Sequence, residues 1–175
     1  MDFVAGGAMK RTSLGDQACP VARALDAIGD WWSLLIIRDA FDGMRRFGEF
    51  QKSLGISKGI LAARLKHLVA IDVLEMAPIA DEGGYQEYVL TKKGQGLFLV
   101  TVSLREWGED HCFDKAERHS VLVEKASGQR VQRLTLRGRD DRELDAATTL
   151  VRKVPAPPAP GKRGKPKAKR PAGGA

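Results

Sequence analysis

Cysteine is scarce in this 175-residue chain: there are two, Cys19 and Cys112, too far apart to form a compact disulfide scaffold. Free thiols of this kind are normal in the cytoplasm. Apolar runs are short as well. None approaches the roughly 18 residues that a membrane-spanning helix needs. Residues 1–18 lack the long apolar stretch after a basic start that marks a secretory signal. The sequence therefore reads as cytoplasmic, with no membrane partner. Metal-ligand spacings are also missing. Cys19, His111, Cys112 and His119 are the only soft ligands that would converge, and no CxxC, HExxH or similar pattern joins them. No metal and no other cofactor is expected. A phosphate-cradling Gly loop and a nucleophile elbow are absent, and the carboxylates of Glu109 and Asp110 sit side by side on a helix without facing one another. Nothing here points to an enzyme, and no internal repeat is found.

What the chain does have is 43% hydrophobic residues, enough for a real core, and a net charge of +7. That charge is unevenly placed. Beyond Val154 the tail carries Lys162, Arg163, Lys165, Lys167, Lys169 and Arg170 and no acid, so removing these six leaves the first 154 residues at only +1. Any basic surface on the folded part must come from local clustering. The chain divides into a flexible N-terminal arm at 1–18, a domain at 19–112, an extension at 113–154 and a tail at 155–175. The tail is built of Pro, Ala, Gly, Lys and Arg, which cannot bury enough surface to offset the entropy of ordering, and is expected to be disordered.

Within the domain, Cys19-Pro20 opens a first helix, with Pro at the first helical position where its missing N–H costs nothing. Gly29 and Asp30 end it. A second helix runs from Trp31 to about Phe41; its WWSLLII run is apolar nearly all round, as for a helix covered on several sides. Phe47, Phe50 and Leu54 share one face of a third helix. Gly55-Ile56 turns the chain, and Ser57 caps a fourth helix whose Leu61, Leu65 and Leu68 fall on one side. Leu74 to Ile79 and Tyr85 to Leu90 read as a two-stranded ribbon around Ala80-Asp81-Glu82-Gly83-Gly84; Pro78 is tolerable there and awkward in a central strand. Thr91 caps a long helix to about Asp110 with Leu97, Val100, Leu104 and Trp107 in a stripe. Val121–Lys125 and Arg130–Arg137 alternate around Ser127-Gly128, the pattern of a β-hairpin.

Two short helices, a Gly turn and a ribbon in that order make a winged helix-turn-helix. The fold class is α+β, mainly helical: that module with a long terminal dimerisation helix, a C-terminal β-hairpin extension and a disordered basic tail. The fourth helix is then the base-reading helix, with its N-terminal turns at the groove. With the leucines inward, the outward arc holds Gly59, Ala62, Ala63, Lys66 and His67, and Ser57 and Lys58 stand at its exposed start. The small residues permit close approach and an Ala methyl suits a thymine methyl, while the lysines suit phosphate or guanine. Arg64 lies on the flank, within reach of the backbone. Arg45 and Arg46 precede the third helix, whose N-terminus suits a phosphate; ordinary surface arginines would look the same. At the ribbon tip, Tyr85 and Gln86 are candidates for the minor groove or backbone, although Asp81 and Glu82 beside them repel phosphate. The stripe on the last helix calls for a cover, either a second copy of the chain or residues 20–41. Cys19, at a helix N-terminus with Arg23 one turn on, is a candidate redox sensor, against the plainer reading of a buried, unreactive cysteine.

The segments CPVARALDAIGDWWSLLIIRDAFDGMRRFGEF, GISKGILAARLKHL, EYVLTKKGQGL and WGEDH, spanning residues 19–112, resemble the HxlR-type winged-helix regulators, a branch related to the MarR group. The resemblance implies a dimeric bacterial transcription factor, with the fourth helix in the major groove of operator DNA and terminal helices forming the homodimer. It implies that some relatives sense oxidants or electrophiles through a cysteine at the position of Cys19. Relatives often carry Pro-Pro-Arg before the Val-Glu-Tyr of the wing; here Gly83-Gly84-Tyr85 precede Gln86-Glu87-Tyr88, so the wing arginine is missing. Residues 121–154 look like an extension that carries cysteines in some relatives, whereas Ser127 and Arg137 to Asp140 stand here. The expected function is a sequence-specific double-stranded DNA-binding regulator, a repressor responding to a small-molecule effector or an oxidant. The competing reading is a winged-helix protein-interaction module without specific DNA binding.

The tail generates a direct test. Six phosphate contacts would steepen the dependence of log affinity for DNA on log salt by up to about 5. Deleting residues 155–175 should flatten that slope in a salt titration; equal slopes would assign the tail no role on DNA.

Overall fold

The computed structural model describes residues 13–79 and 85–153. The expectations for residues 1–12, for the Ala80–Gly84 loop with Asp81 and Glu82, and for the basic tail lie outside the described residues. Residues 13–18, expected as part of a loose arm, form a turn against the first helix. The Gln17 N–H donates to the Leu14 carbonyl at 3.1 Å, and the Ser13 hydroxyl donates to Asp26 Oδ2 at 2.8 Å.

Helix α1 (Pro20–Ile28) starts with Pro20 in its first turn and Cys19 as N-cap, and Gly29 ends it. Helix α2 (Trp31–Phe41) is capped by Asp30, whose carboxylate accepts from the Ser33 N–H at 3.1 Å and also from the Ser33 hydroxyl. Such a cap satisfies a donor that the helix itself leaves orphaned. Ser33, Ile36, Ile37 and Asp39 are buried, but Trp31 is 73% exposed, so α2 is not covered all round as its composition suggests.

Helix α3 (Phe47–Leu54) begins where Glu49 Oε2 accepts the N–H groups of both Arg45, at 2.8 Å, and Arg46, at 2.9 Å. It ends at Gly55, which takes the left-handed conformation at φ +64, a conformation that glycine adopts without steric cost. Helix α4 (Lys58–Ala70) is capped by the Ser57 hydroxyl, accepting from the Ile60 N–H at 3.3 Å. Leu61, Leu65 and Leu68 are fully buried with Phe50, Ile36 and Ile37. This cluster joins α2, α3 and α4 into one body.

The ribbon pairs β1 (Leu74–Pro78) with β2 (Gln86–Leu90) antiparallel, from Leu74 opposite Leu90 to Pro78 opposite Gln86. Pro78 sits at the last rung, where a missing N–H is tolerated. The ribbon is tied back to the helices at both ends. The Tyr88 N–H donates to the Arg45 carbonyl at 2.8 Å. At the other end, Thr91 Oγ1 donates to the Asp72 carbonyl at 2.7 Å and accepts from the Gly94 N–H, while Lys93 Nζ donates to the Ile71 carbonyl at 2.6 Å. A lysine there also complements the negative C-terminal end of α4.

Thr91 caps a helix as expected, but the helix is short: α5 (Lys92–Gln95) stops at Gly96, and α6 (Phe98–His111) starts afresh after Leu97. The expected single helix from Thr91 to Asp110 is therefore interrupted. Two packing demands explain it. A Cβ on Gly94 would lie 2.1 Å from the Val73 carbonyl oxygen, so α5 is pressed onto the start of β1. Phe98 instead meets Phe41 edge-on, ring centroids 5.2 Å apart, which ties α6 to α2. Val102 is the buried residue of α6, while Val100, Leu104 and Trp107 of the expected stripe are exposed and Leu97 packs against the core.

After α6 the chain runs back along it. Arg133 pairs with Asp110 at 2.7 Å, and the Leu134 N–H donates to Glu106 Oε1 at 2.9 Å. The expected hairpin of 121–125 with 130–137 is reduced to one bridge, Val123 with Arg130, around Gly128 at φ +69. Leu136–Arg137 (β3) pairs instead with Glu143–Leu144 (β4), a second turn that the alternation did not reveal. With so few rungs, side-chain anchors on α6 hold this segment more than ladder bonds do.

Two backbone N–H donors and the Arg46 charge hold the Glu49 carboxyl below the ordinary glutamate value of 4.5. A depressed value means the cap's contribution is present at neutral pH and is lost as pH falls through that lowered value. The stability advantage of wild type over Glu49→Gln should be present at pH 7 and shrink steadily below pH 4.5. Denaturant midpoints of both proteins across that range measure it; a constant difference would show that the ionised cap contributes nothing.

Candidate nucleic-acid interface

The phase of α4 is set by its buried leucines, and this fixes what the helix shows to solvent. Ser57, Lys58, Gly59, Ala62, Ala63 and Lys66 are all exposed. Ser57 spends its hydroxyl on the cap, leaving the helix start as a surface of backbone N–H groups, Lys58 and small side chains, with Lys66 further along the same helix. A positive helix end of this kind suits an anion. Ile60 belongs to the same exposed turn and is 43% exposed. Sequence reasoning passed over it because it falls outside the leucine stripe and is apolar; that very mismatch was the available signal.

His67, expected on the outward arc, is turned away from it, and Arg64, expected on the flank, is engaged by the chain itself. His67 is half-buried with Nε2 2.8 Å from the Ala27 carbonyl, so its ring braces α4 against α1. Arg64 sends Nε to within 3.1 Å of Asp30 Oδ1. The same carboxylate therefore caps α2 and holds α4. In both cases the partner lies more than thirty residues away, beyond what helical periodicity registers.

Arg45 and Arg46 are exposed, but the anion position at the start of α3 is filled by the chain's own Glu49. The expected grip of that helix end on a phosphate is replaced by an internal cap. Arg45 also pairs with Glu87 on β2 at 2.8 Å, so its guanidinium and its carbonyl both fasten the ribbon. Tyr85, 71% exposed, and Gln86 stand at the end of β2 beside the loop. The arrangement thus leaves the outward face of α4 and the end of β2 exposed, and engages Arg64 and His67 in contacts within the chain.

Cys19 is exposed, which overturns the buried reading. Its side chain makes no cap bond, and the Arg23 N–H donates to its carbonyl. Cys112 is exposed as well, at the end of α6. Among the described residues no group of three or more His, Cys, Asp or Glu is placed to hold a metal ion, and no helix is long and apolar enough to cross a membrane.

Comparison with known proteins decides the family. The model of the HxlR-like helix-turn-helix family matches residues 27–116, just over half of the chain. The chain belongs to the HxlR-like family. A regulator from Mycobacterium tuberculosis strain H37Rv, Rv3095, described as an HTH-type transcriptional regulator, is 41% identical over 91 residues. That match takes in 52% of this chain and 58% of Rv3095, so the chain spans less than two thirds of that relative's length. The crystal structure of PA1607, described as a candidate transcription factor, is 54% identical with a TM-score of 0.77, covering 82% of this chain and 100% of that one. Coverage of 82% cannot be reached without residues beyond 116, so the likeness continues past the HxlR-like match into the extension. PA1374 from Pseudomonas aeruginosa, also described as a candidate transcription factor, is 37% identical with a TM-score of 0.55, covering 79% of this chain and 94% of that one.

Asp30 links two functional demands and is open to test. Asp30→Asn keeps a cap acceptor but removes the charge facing Arg64, whereas Asp30→Ala removes both. Thermal or denaturant unfolding should rank wild type, then Asn, then Ala, with Ala lower by about 1–2 kcal/mol. Equal stability of all three would show that neither contact matters.

Proposed function

We propose that this HxlR-like protein is a sequence-specific double-stranded DNA-binding transcriptional regulator that acts as a homodimer and represses by occluding a promoter. The observation that carries this reading is the exposed face of α4, in one body with a braced ribbon: a capped start with Lys58, the small residues Gly59, Ala62 and Ala63, and Lys66 further along. Small side chains let the helix backbone come close to the floor of the major groove, and Ile60 with the two alanines offers methyl groups to thymine. Lys58 and Lys66 supply phosphate or guanine contacts. Tyr85 and Gln86 approach the neighbouring backbone, with Ser57 at the helix start; Arg45 and Arg46 contribute positive charge nearby.

Dimerisation is supported by the apolar surface left open. Val100, Leu104 and Trp107 on α6, Val21 and Leu25 on α1 and Trp31 on α2 are large and exposed. Patches of this kind mark association surfaces, and two copies double the set of base contacts. Cys19, exposed at the start of α1, is the residue through which an oxidant would act.

Band-shift titrations on the DNA upstream of the protein's own gene test the reading. Wild type should give a specific, dimeric complex, and Ala63→Glu should weaken it by about tenfold or more while leaving the melting temperature unchanged. Lys66→Ala should weaken specific and nonspecific DNA alike and lower the salt slope by about 1. Binding no tighter to that DNA than to random sequence, or indifference to Ala63→Glu, would favour an interaction module that docks a protein partner through the same fold.

A further inference from the structure

Between α2, α6 and the segment that follows α6 lies a cavity of about 310 Å³. No residue of α3 or α4 lines it: its α2 wall is made by Leu34, Leu35, Arg38 and Phe41, of which Leu34 and Phe41 also pack against the core that Ile36 and Ile37 enter. It is also distinct from most of the exposed stripe. Phe98, Val102 and Arg105 line it, while Val100 and Trp107 lie on the other side of α6, and only Leu104 stands at the edge.

The third wall comes from the extension. Phe113, His119, Ser120 and Leu122 close the cavity, and three of these four lie beyond the stretch that defines the family. That wall is built rather than draped. Arg105 donates to both the carbonyl and the hydroxyl of Ser120, at 3.0 and 2.9 Å, and His119 Nδ1 lies 2.9 Å from the same carbonyl. The Phe113 and His119 rings pack with centroids 4.8 Å apart, and Glu109 lies 3.8 Å from Arg105 and 3.9 Å from His119.

We propose that this cavity is an effector site for a small, uncharged, mainly apolar molecule about the size of two fused aromatic rings, carrying one or two hydrogen-bonding groups. Volume sets the size: an apolar cavity of about 150 Å³ accepts benzene, and this one is about twice that. Charge sets the class. The lining guanidinium groups, Arg38 and Arg105, each have a carboxylate beside them, Asp39 and Glu109, so no cation is left over to hold an anion; Asp42 also lines the cavity but is exposed, and a solvated carboxylate adds little hold on a cation. The Ser120–His119–Arg105 end supplies polar groups to orient a hydroxyl or amide, and the Leu35, Phe41, Phe98 and Val102 walls take the rings.

The position explains how such a ligand would regulate, a step that rests on the DNA-binding reading above. Helix α2 belongs to the body that carries α4, and α6 carries the exposed stripe. A molecule lodged between them changes how the two sit together, hence the spacing of two α4 helices in a dimer, to which operator affinity is sensitive. Selectivity of this kind belongs to the extension, so proteins with the same DNA-reading body and a different segment after α6 would answer to other molecules.

The test uses the full chain, with 2-naphthol and indole as probes. Isothermal titration without DNA should show one site per protomer with a dissociation constant below about 1 mM for at least one probe. Leu122→Trp, which fills the cavity from the extension, and Leu35→Phe, which fills it from α2, should each weaken that binding about tenfold or more with the melting temperature retained. The bound probe should then shift DNA affinity about fivefold or more in wild type and not in the filled variants. Failure of both probes to bind, or binding indifferent to both substitutions, overturns the site. Binding that leaves DNA affinity unchanged overturns the effector role. If the free protein bound no specific DNA, the reading of function would fall, and the titration without DNA would still decide the cavity.

Discussion

Burial of Leu61, Leu65 and Leu68 against Phe50, Ile36 and Ile37 is the constraint from which the rest follows. Fully burying each such side chain is worth about 1.5–3 kcal/mol, far more than any exposed ion pair nearby. These contacts fix the rotation of α4 about its own axis, and so decide which residues meet solvent. Once Leu61 is inside, Ala62, Ala63 and Lys66 are outside by geometry. The Asp30–Arg64 pair and the His67–Ala27 contact then hold a phase that the apolar side has already chosen.

The ribbon depends on the same body in a different manner. It has two strands, which are marginal on their own in water, and it borrows rigidity from anchors at each end. Arg45 grips β2 through a carbonyl and a guanidinium, and Thr91 and Lys93 donate to the carbonyls of Asp72 and Ile71, just past the end of α4. Glu49 sets the backbone of Arg45 and Arg46 that makes this possible. Under the proposed DNA-binding function, the missing wing arginine and the internally capped α3 together move the burden of recognition onto α4.

Legibility in the sequence tracked how local each determinant is. Ser57, Gly55, Pro20 and the leucine stripe act within a turn or two, and the starts of α1 and α4 and the end of α3 could be read from them. Arg64 and His67 were misplaced because Asp30 and Ala27 approach them only in the folded chain. The interruption at Gly96 was hidden because glycine is tolerated within a helix and the apolar spacing from Leu97 runs on undisturbed. What breaks the helix is the approach of Gly94 to Val73, a tertiary contact. The extension resisted most: β3 and β4 are two residues each, too short to carry a period, and their place is set by Glu106 and Asp110 of α6.

That interruption has a mechanical meaning. A continuous helix from Thr91 to His111 would be a stiff rod, and any tilt at its far end would lever the ribbon off its anchors. With α5 clamped to β1 by Gly94 and α6 tied to α2 by Phe98, the two pieces answer to different neighbours, as an instrument head and its mounting arm do. The break at Gly96 and Leu97 thus lets the arm take the direction that α2 sets while the ribbon keeps the one that α4 and α5 set.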